Sequence, residues 1–203
     1  MADTTPRAAD PKPPPDQALR GLDGAAAARR RGPAPVHLWN PPFCGDIDMR
    51  IAADGTWLYM GSPIGRAPLV QLFASILRRD EDRYVLVTPV ERVGITVDDA
   101  PFLAVEMIAS DASGAPTLTF RTNVEDFVTV DRDHPLRFAP GAAAGLKPYV
   151  LVRGGLWALV KRALFYDLAA LGETRPFEGE DWFGVSSGHM FFPMTRAAEL
   201  EGL

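Results

Sequence analysis

The stretch "HLWNPPFCGDIDMRI", His37 to Ile51, gathers the groups most able to do chemistry in this chain: its single cysteine, Cys44, the carboxylates Asp46 and Asp48, and the cation Arg50. A cysteine nucleophile works as its thiolate, which needs nearby positive charge or a helix N-terminus. Asp46 and Asp48 would disfavour that anion, leaving Arg50 or a distant histidine to compensate. His37, His134 and His189 exist, but no spacing ties any of them to Cys44. Free cysteine is among the most buried residue types, so packing is the expectation for Cys44, and a nucleophile is the alternative. Zinc sites declare themselves by paired cysteines or histidines at short spacing. None occurs, so neither a metal nor a cofactor is expected.

These residues must be held by local structure. Ile47, Met49 and Ile51 alternate with Asp46, Asp48 and Arg50, the period-two pattern of a half-buried strand. Asp54-Gly55 then separates this run from "TWLYM", a strong hairpin signal when the turn is type I′. With Asp54 and Gly55 as the two turn residues, Ala53 pairs with Thr56, Ile51 with Leu58 and Met49 with Met60. Ile47, Met49, Ile51, Leu58 and Met60 then form a core face. The opposite face carries Cys44, Asp46, Asp48, Arg50, Trp57 and Tyr59, with Arg50 across from Tyr59. It reads either as a partly covered sheet surface or as a polar and aromatic pocket. The loop "GSPIGR" adds Arg66 and backbone amides that could meet an anion, although it lacks the P-loop lysine and serine.

Further along, Leu69, Leu72, Phe73, Ile76 and Leu77 fall at helical spacing, ending at Arg78-Arg79. Short strands follow, from "RYVLVTP" to "VEDFVTVD". Arg153-Gly154-Gly155 leads into a second helical pattern, Leu156, Leu159, Val160, Ala163, Leu164, Leu168 and Leu171, closed by Gly172. "DWFGV" and "HMFFPM" complete the fold as strands. Two stretches look alike, each running strand, glycine loop, amphipathic helix, strand, with Leu69-Val70 matched to Leu159-Val160. The expected class is α+β, with two related halves from internal duplication, mostly antiparallel strands and one amphipathic helix in each half.

Composition narrows the function classes. The chain has 203 residues and a formal net charge of −5, and its one basic run is Arg29-Arg30-Arg31, so nucleic acid is not an expected partner. No apolar run approaches the ~18 residues a membrane span needs, and no secretory core segment opens the sequence. A cytoplasmic protein is expected. Residues 1–35, rich in proline and alanine, read as a disordered or partly helical tail, with a short helix over 16–30. The folded part divides into an N-terminal half, 36–97, and a C-terminal half, 98–203.

"PVHLWNPPFCGDIDMRIAADGTWLYMGSPIGR", "LVQLFASILRRDEDRYVLVTPVERVGI", "DDAPFLAVEM" and the closing "DWFGVSSGHMFFPM" resemble the bacterial family labelled domain of unknown function 1285, over roughly residues 36–195. The resemblance implies two related α+β halves, a C-terminal half loosely similar to pleckstrin-homology-like barrels, and a groove where the halves meet. It carries no catalytic residue, but matches Pro42, Phe43, Cys44, Gly45, Asp46 and Asp48 to a motif of the family. The expected function is a binding or regulatory module for an unknown small molecule or protein partner. Its candidate contacts are Cys44, Asp46, Asp48, Arg50, Trp57, Tyr59 and Arg66. The rivals are an enzyme using Cys44 as nucleophile and a structural interaction domain with no small ligand.

Overall fold

The computed structural model describes residues 21–22, 34–111, 114–142 and 145–200. The tail expected over residues 1–35, with its helix over 16–30, lies outside the described residues except at 21–22 and 34–35, where Leu22 and Ala34 are buried.

Two six-stranded sheets are wound by the same rule. In the first, β1 (Phe43–Ile51), β2 (Trp57–Tyr59) and β3 (Ser62–Pro63) form a meander. Helix α1 (Ala67–Ser75) follows, and then β4 (Leu77–Asp80), β5 (Arg83–Val87) and β6 (Arg92–Val97) form a second meander that ends parallel to β1. The order is β3-β2-β1-β6-β5-β4. The second sheet uses β7 (Phe102–Ser110), β8 (Thr117–Thr122), β9 (Phe127–Thr129), β10 (Leu136–Pro140), β11 (Leu146–Arg153) and β12 (Leu156–Val160). Its order, read as β9-β8-β7-β12-β11-β10, is the same, again with the first and last strands parallel. All other strand pairs are antiparallel. The α+β class, the duplication and the mostly antiparallel pairing are therefore as expected.

The alignment of the two copies is not. Leu69-Val70 sits in α1, whereas Leu159-Val160 sits in β12. The true equivalence sets β5 against β11, each carrying Tyr-Val-Leu-Val, at 84–87 and 149–152. A cross-strand arginine lies over each tyrosine, Arg79 at 5.7 Å from the Tyr84 ring centroid and Arg137 at 4.8 Å from that of Tyr149. The second helix is shorter than its apolar pattern predicts. Gly154 and Gly155, with φ of 49° and 78°, turn β11 back into β12 as a hairpin. Leu156, Ala158 and Val160 are buried at period two, so helix α2 covers Arg162–Ala170 alone. A strand the sequence did not announce, β13 (Glu173–Phe177), follows it and pairs with β14 (Glu180–Ser187), which pairs with β15 (Met190–Arg196). Likewise α1 ends at Ser75, because Leu77 pairs with Leu86 in the sheet.

The hairpin register is one residue off the expectation. Ala52 N–H donates to Thr56 O at 2.9 Å and Gly55 N–H to Ala52 O at 2.9 Å, and Gly55 alone in the loop has positive φ, +80°. This is a three-residue loop, a type I turn followed by a left-handed glycine, in place of a two-residue type I′ turn. Thr56 N–H also donates to the Asp54 carboxylate at 2.9 Å, which that turn permits. Ile51 therefore faces Trp57, and Met49 faces Tyr59. A slip of one exchanges the faces of the whole partner strand.

The core follows from these registers. Trp57 stacks on Phe73 of α1, with ring centroids 6.2 Å apart, in the same core as Met49, Ile51 and Leu86. The halves are joined by Arg153, whose guanidinium donates to Ala74 O at the end of α1 (2.9 Å), pairs with Asp126 and lies 4.9 Å over the Phe102 ring. The three-stranded sheet is pinned by buried Ser187, which accepts from Leu118 N–H at 3.0 Å and donates to Val130 O at 2.7 Å. No helix among the described residues is long and apolar enough to cross a membrane.

Candidate functional site

The parity of β1 places Asp46, Asp48 and Arg50 on the outward face of the first sheet, all exposed. Trp57 and Tyr59 are not with them. Both are buried, 2% and 8% exposed, because the register carries them to the core face, and Leu58 stands opposite Arg50 instead. Cys44 corrects a second expectation: it is exposed rather than packed, and its thiol donates to Pro42 O at 3.6 Å. That acceptor gives a thiolate no stabilisation, and no histidine is among its partners. Arg66 is exposed at the N-cap of α1, where its carbonyl accepts from Leu69 and Val70 N–H, and it is not brought to the other candidates. Arg50 is held by a two-pronged pair with Asp98, at 2.7 and 2.8 Å.

On the same outward face, nearer the β4 edge, lies a cleft of about 930 Å³ lined by Phe43, Arg79, Asp80, Arg83, Val85 and Arg92 among others. Strand alternation assembles it. Arg78 and Asp80 of β4 stand opposite Val85 and Arg83 of β5, Val85 stands opposite Gly94 of β6, and Asp46 of β1 stands beside Gly94. Gly94 leaves room for the Asp46 carboxylate, which a Cβ at that position would push aside. That carboxylate accepts from Arg83 at 2.8 Å. The Phe43 ring lies under two guanidiniums, Arg83 at 5.1 Å and Arg92 at 5.9 Å from its centroid.

Asp80 is the anchor of the cleft floor. Its oxygens accept from Arg78 Nε at 2.6 Å and Nη2 at 3.0 Å and from Arg92 Nη1 at 2.8 Å. Arg78 spends its remaining donor on the carbonyls of Val36 and Trp39, both at 2.6 Å, and so ties the incoming segment to the sheet edge. Arg78 is thus structural, while Arg83 keeps unused donors and Arg92 Nε is buried without a hydrogen-bond partner. Arg79 borders the second half, 3.7 Å from where a Cβ on Gly155 would stand.

The hydrogen bond from Arg78, helped by the charge of Arg92 and opposed by desolvation, holds the Asp80 carboxyl below its ordinary range. A carboxylate lowered in the folded state stabilises the fold above its unfolded pKa, and the contribution is lost as pH falls through the folded value. Asp80→Asn is expected to cost about 1.5–3 kcal/mol at neutral pH, by the usual worth of hydrogen bonds to a charged group. It should also flatten the decline in stability below about pH 4. Urea midpoints measured from pH 7 down to pH 3 check both, and an unaltered acid decline would remove Asp80 from this role.

Phe43, Arg79, Asp80, Arg83 and Arg92 were absent from the sequence-derived contacts. Helical spacing places Arg78-Arg79 at a helix end, and only their position in a strand lets Arg78 and Asp80 share a face. Among the described residues no group of three His, Cys, Asp or Glu side chains comes together as a metal site.

Comparison with known proteins agrees with the two-part architecture. Residues 34–100 match the family model described as domain of unknown function (DUF1285), N-terminal domain, and residues 101–194 match that of the DUF1285 C-terminal domain. A crystal structure of a DUF1285 family protein from Silicibacter pomeroyi DSS-3 is similar at 52% identity and a TM-score of 0.80, over 90% of this chain and 99% of that one. A second, from Shewanella baltica OS155, has 31% identity and a TM-score of 0.48, over 60% of this chain and 89% of that one. No curated protein matches the chain.

Proposed function

We propose, from the premise that this chain belongs to the DUF1285 family, that it is a binding or regulatory module rather than a catalyst, and that it holds an anionic group of a small molecule or peptide in the Phe43–Arg83–Arg92 cleft. The observation that carries this reading is the aromatic ring lying under two guanidiniums at a cleft of about 930 Å³. A guanidinium presents paired donors to a carboxylate or phosphate, and a ring beneath it restricts its motion and adds apolar contact. Arg83 is paired to Asp46 in the open, with side chains 54% and 67% exposed, and an exposed pair of this kind is weak enough for a ligand anion to replace the carboxylate. Arg79, shared with the Gly154-Gly155 turn, sets the cleft against the seam between the halves and couples its occupancy to their relative position. Cys44 enters as a neighbour of Phe43, an exposed thiol whose alkylation rate reports whether the cleft is filled.

The test is a thermal-shift screen of the full chain against a panel of dicarboxylates and phosphomonoesters. A ligand that binds only the native state at about a hundred times its Kd adds ~2.7 kcal/mol to stability. The expected result is a midpoint rise that disappears in both Phe43→Ala and Arg83→Gln, with slower Cys44 alkylation in the wild type. A panel that leaves the midpoint unmoved, or a rise that survives both replacements, would overturn the proposal.

A further inference from the structure

The second cavity, of about 530 Å³, lies between α2 and the β10–β11 connection, far in character from the arginine cleft. Its walls are Leu146 and Pro148 of β11, Leu159 and Val160 of β12 and Phe165 of α2, with Lys147 and Arg162 as its charged groups. Among the described residues no carboxylate lines it, in a chain whose net charge is −5. The two cations are not equivalent. Lys147 Nζ is 2.6 Å from Asp99, which also accepts from Tyr149 Oη at 2.7 Å, so that charge is already answered. Arg162 donates through Nε to the Tyr166 hydroxyl at 3.1 Å and lies 5.9 Å from that ring, both neutral partners. The described ends of the connection are held together, Gly141 N–H donating to Gly145 O at 2.7 Å and Gly145 N–H to Ala142 O at 3.0 Å.

An apolar recess of this volume with one uncompensated guanidinium has a definite complement. We infer that this groove binds a free apolar carboxylate, a small amphiphile whose body lies on Leu146, Leu159 and Phe165 and whose single negative charge meets Arg162. The apolar walls reward a body that leaves water, and Arg162 gains a charge-assisted partner without breaking an ion pair. A dianion gains nothing more, since Lys147 stays with Asp99. The site is independent of the arginine cleft, and no residue lines both.

The experiment uses the full chain and three probes, octanoate, 1-octanol and acetate, titrated calorimetrically or by chemical-shift change. Octanoate is expected to bind saturably and at least tenfold more tightly than either of the others. Arg162→Gln should bring octanoate down to the level of octanol and leave octanol unchanged, while Arg162→Lys restores part of the difference. Phe165→Ala, checked for folding by circular dichroism, should weaken octanoate and octanol together. Phe43→Ala should leave octanoate binding as it is; if it abolishes that binding, octanoate is reporting the other cleft and the inference falls. Absence of saturable octanoate binding, or indifference to Arg162→Gln, overturns it as well. So does co-sedimentation with phosphatidylglycerol vesicles that Arg162→Gln releases, because the partner would then be a bilayer surface.

Discussion

Trp57→Ala is expected to lower the unfolding free energy by about 3–5 kcal/mol, the range for removing a large aromatic from a packed core. The indole is 2% exposed, stacks on Phe73 at 6.2 Å and shares its face with Met49 and Ile51. Had the hairpin adopted the two-residue turn, Trp57 would stand on the outward face and the same change would cost a few tenths of that. Leu58→Ala is the internal control, since Leu58 takes the outward position and should cost under about 1 kcal/mol by comparison with ordinary surface changes. A milder substitution sharpens the point. Trp57 Nε1 is buried without a hydrogen-bond partner, so Trp57→Phe removes an orphaned donor as it loses volume. Its net cost should stay under about 1.5 kcal/mol, as for other near-conservative core replacements. Urea unfolding of the three variants decides the register; equal costs for Trp57→Ala and Leu58→Ala would reject it.

The second large effect concerns α2. Leu168 is the helix's one buried side chain, with 0% exposure, and belongs to the hydrophobic core. Leu168→Ala is expected to cost about 2–5 kcal/mol through lost transfer energy and the cavity left behind. Leu171, three residues on and past the helix end, is 48% exposed, and its alanine variant should fall within about 0.5 kcal/mol of wild type. A sequence reading that ran one apolar stripe from Leu156 to Leu171 assigns these two leucines the same role. Similar midpoints for the two variants would restore that longer stripe and contradict the short helix.

Both predictions turn on the same distinction. Alternation along one strand is a property of that strand, so the outward placement of Asp46, Asp48 and Arg50 was legible from β1 alone. Partner strands are different. Whether Ile51 meets Leu58 or Trp57 depends on the hydrogen bonds of the loop, and Asp54-Gly55 serves a type I turn with a left-handed glycine as well as a type I′ turn. The sequence therefore supplied the carboxylates and the arginine of the face and mis-supplied its aromatics. The ring that does lie there, Phe43, belongs to the quoted motif, but nothing local says that it sits under Arg83 and Arg92, which arrive from strands 40 and more residues away.

What the amino-acid sequence determined by itself is the α+β class, the kinship of two halves, the family, and the outward face of β1, because composition, strand periodicity and motif are carried by contiguous residues. The alignment of the halves, the ends of both helices, the exposure of Cys44 and the assembly of the arginine cleft were decided only in three dimensions. The physical reason is that a run such as Leu156–Val160 satisfies helical and extended spacing equally well. Its conformation is chosen by the Gly154-Gly155 turn together with the strands it then pairs with, β11 on one side and β7 on the other.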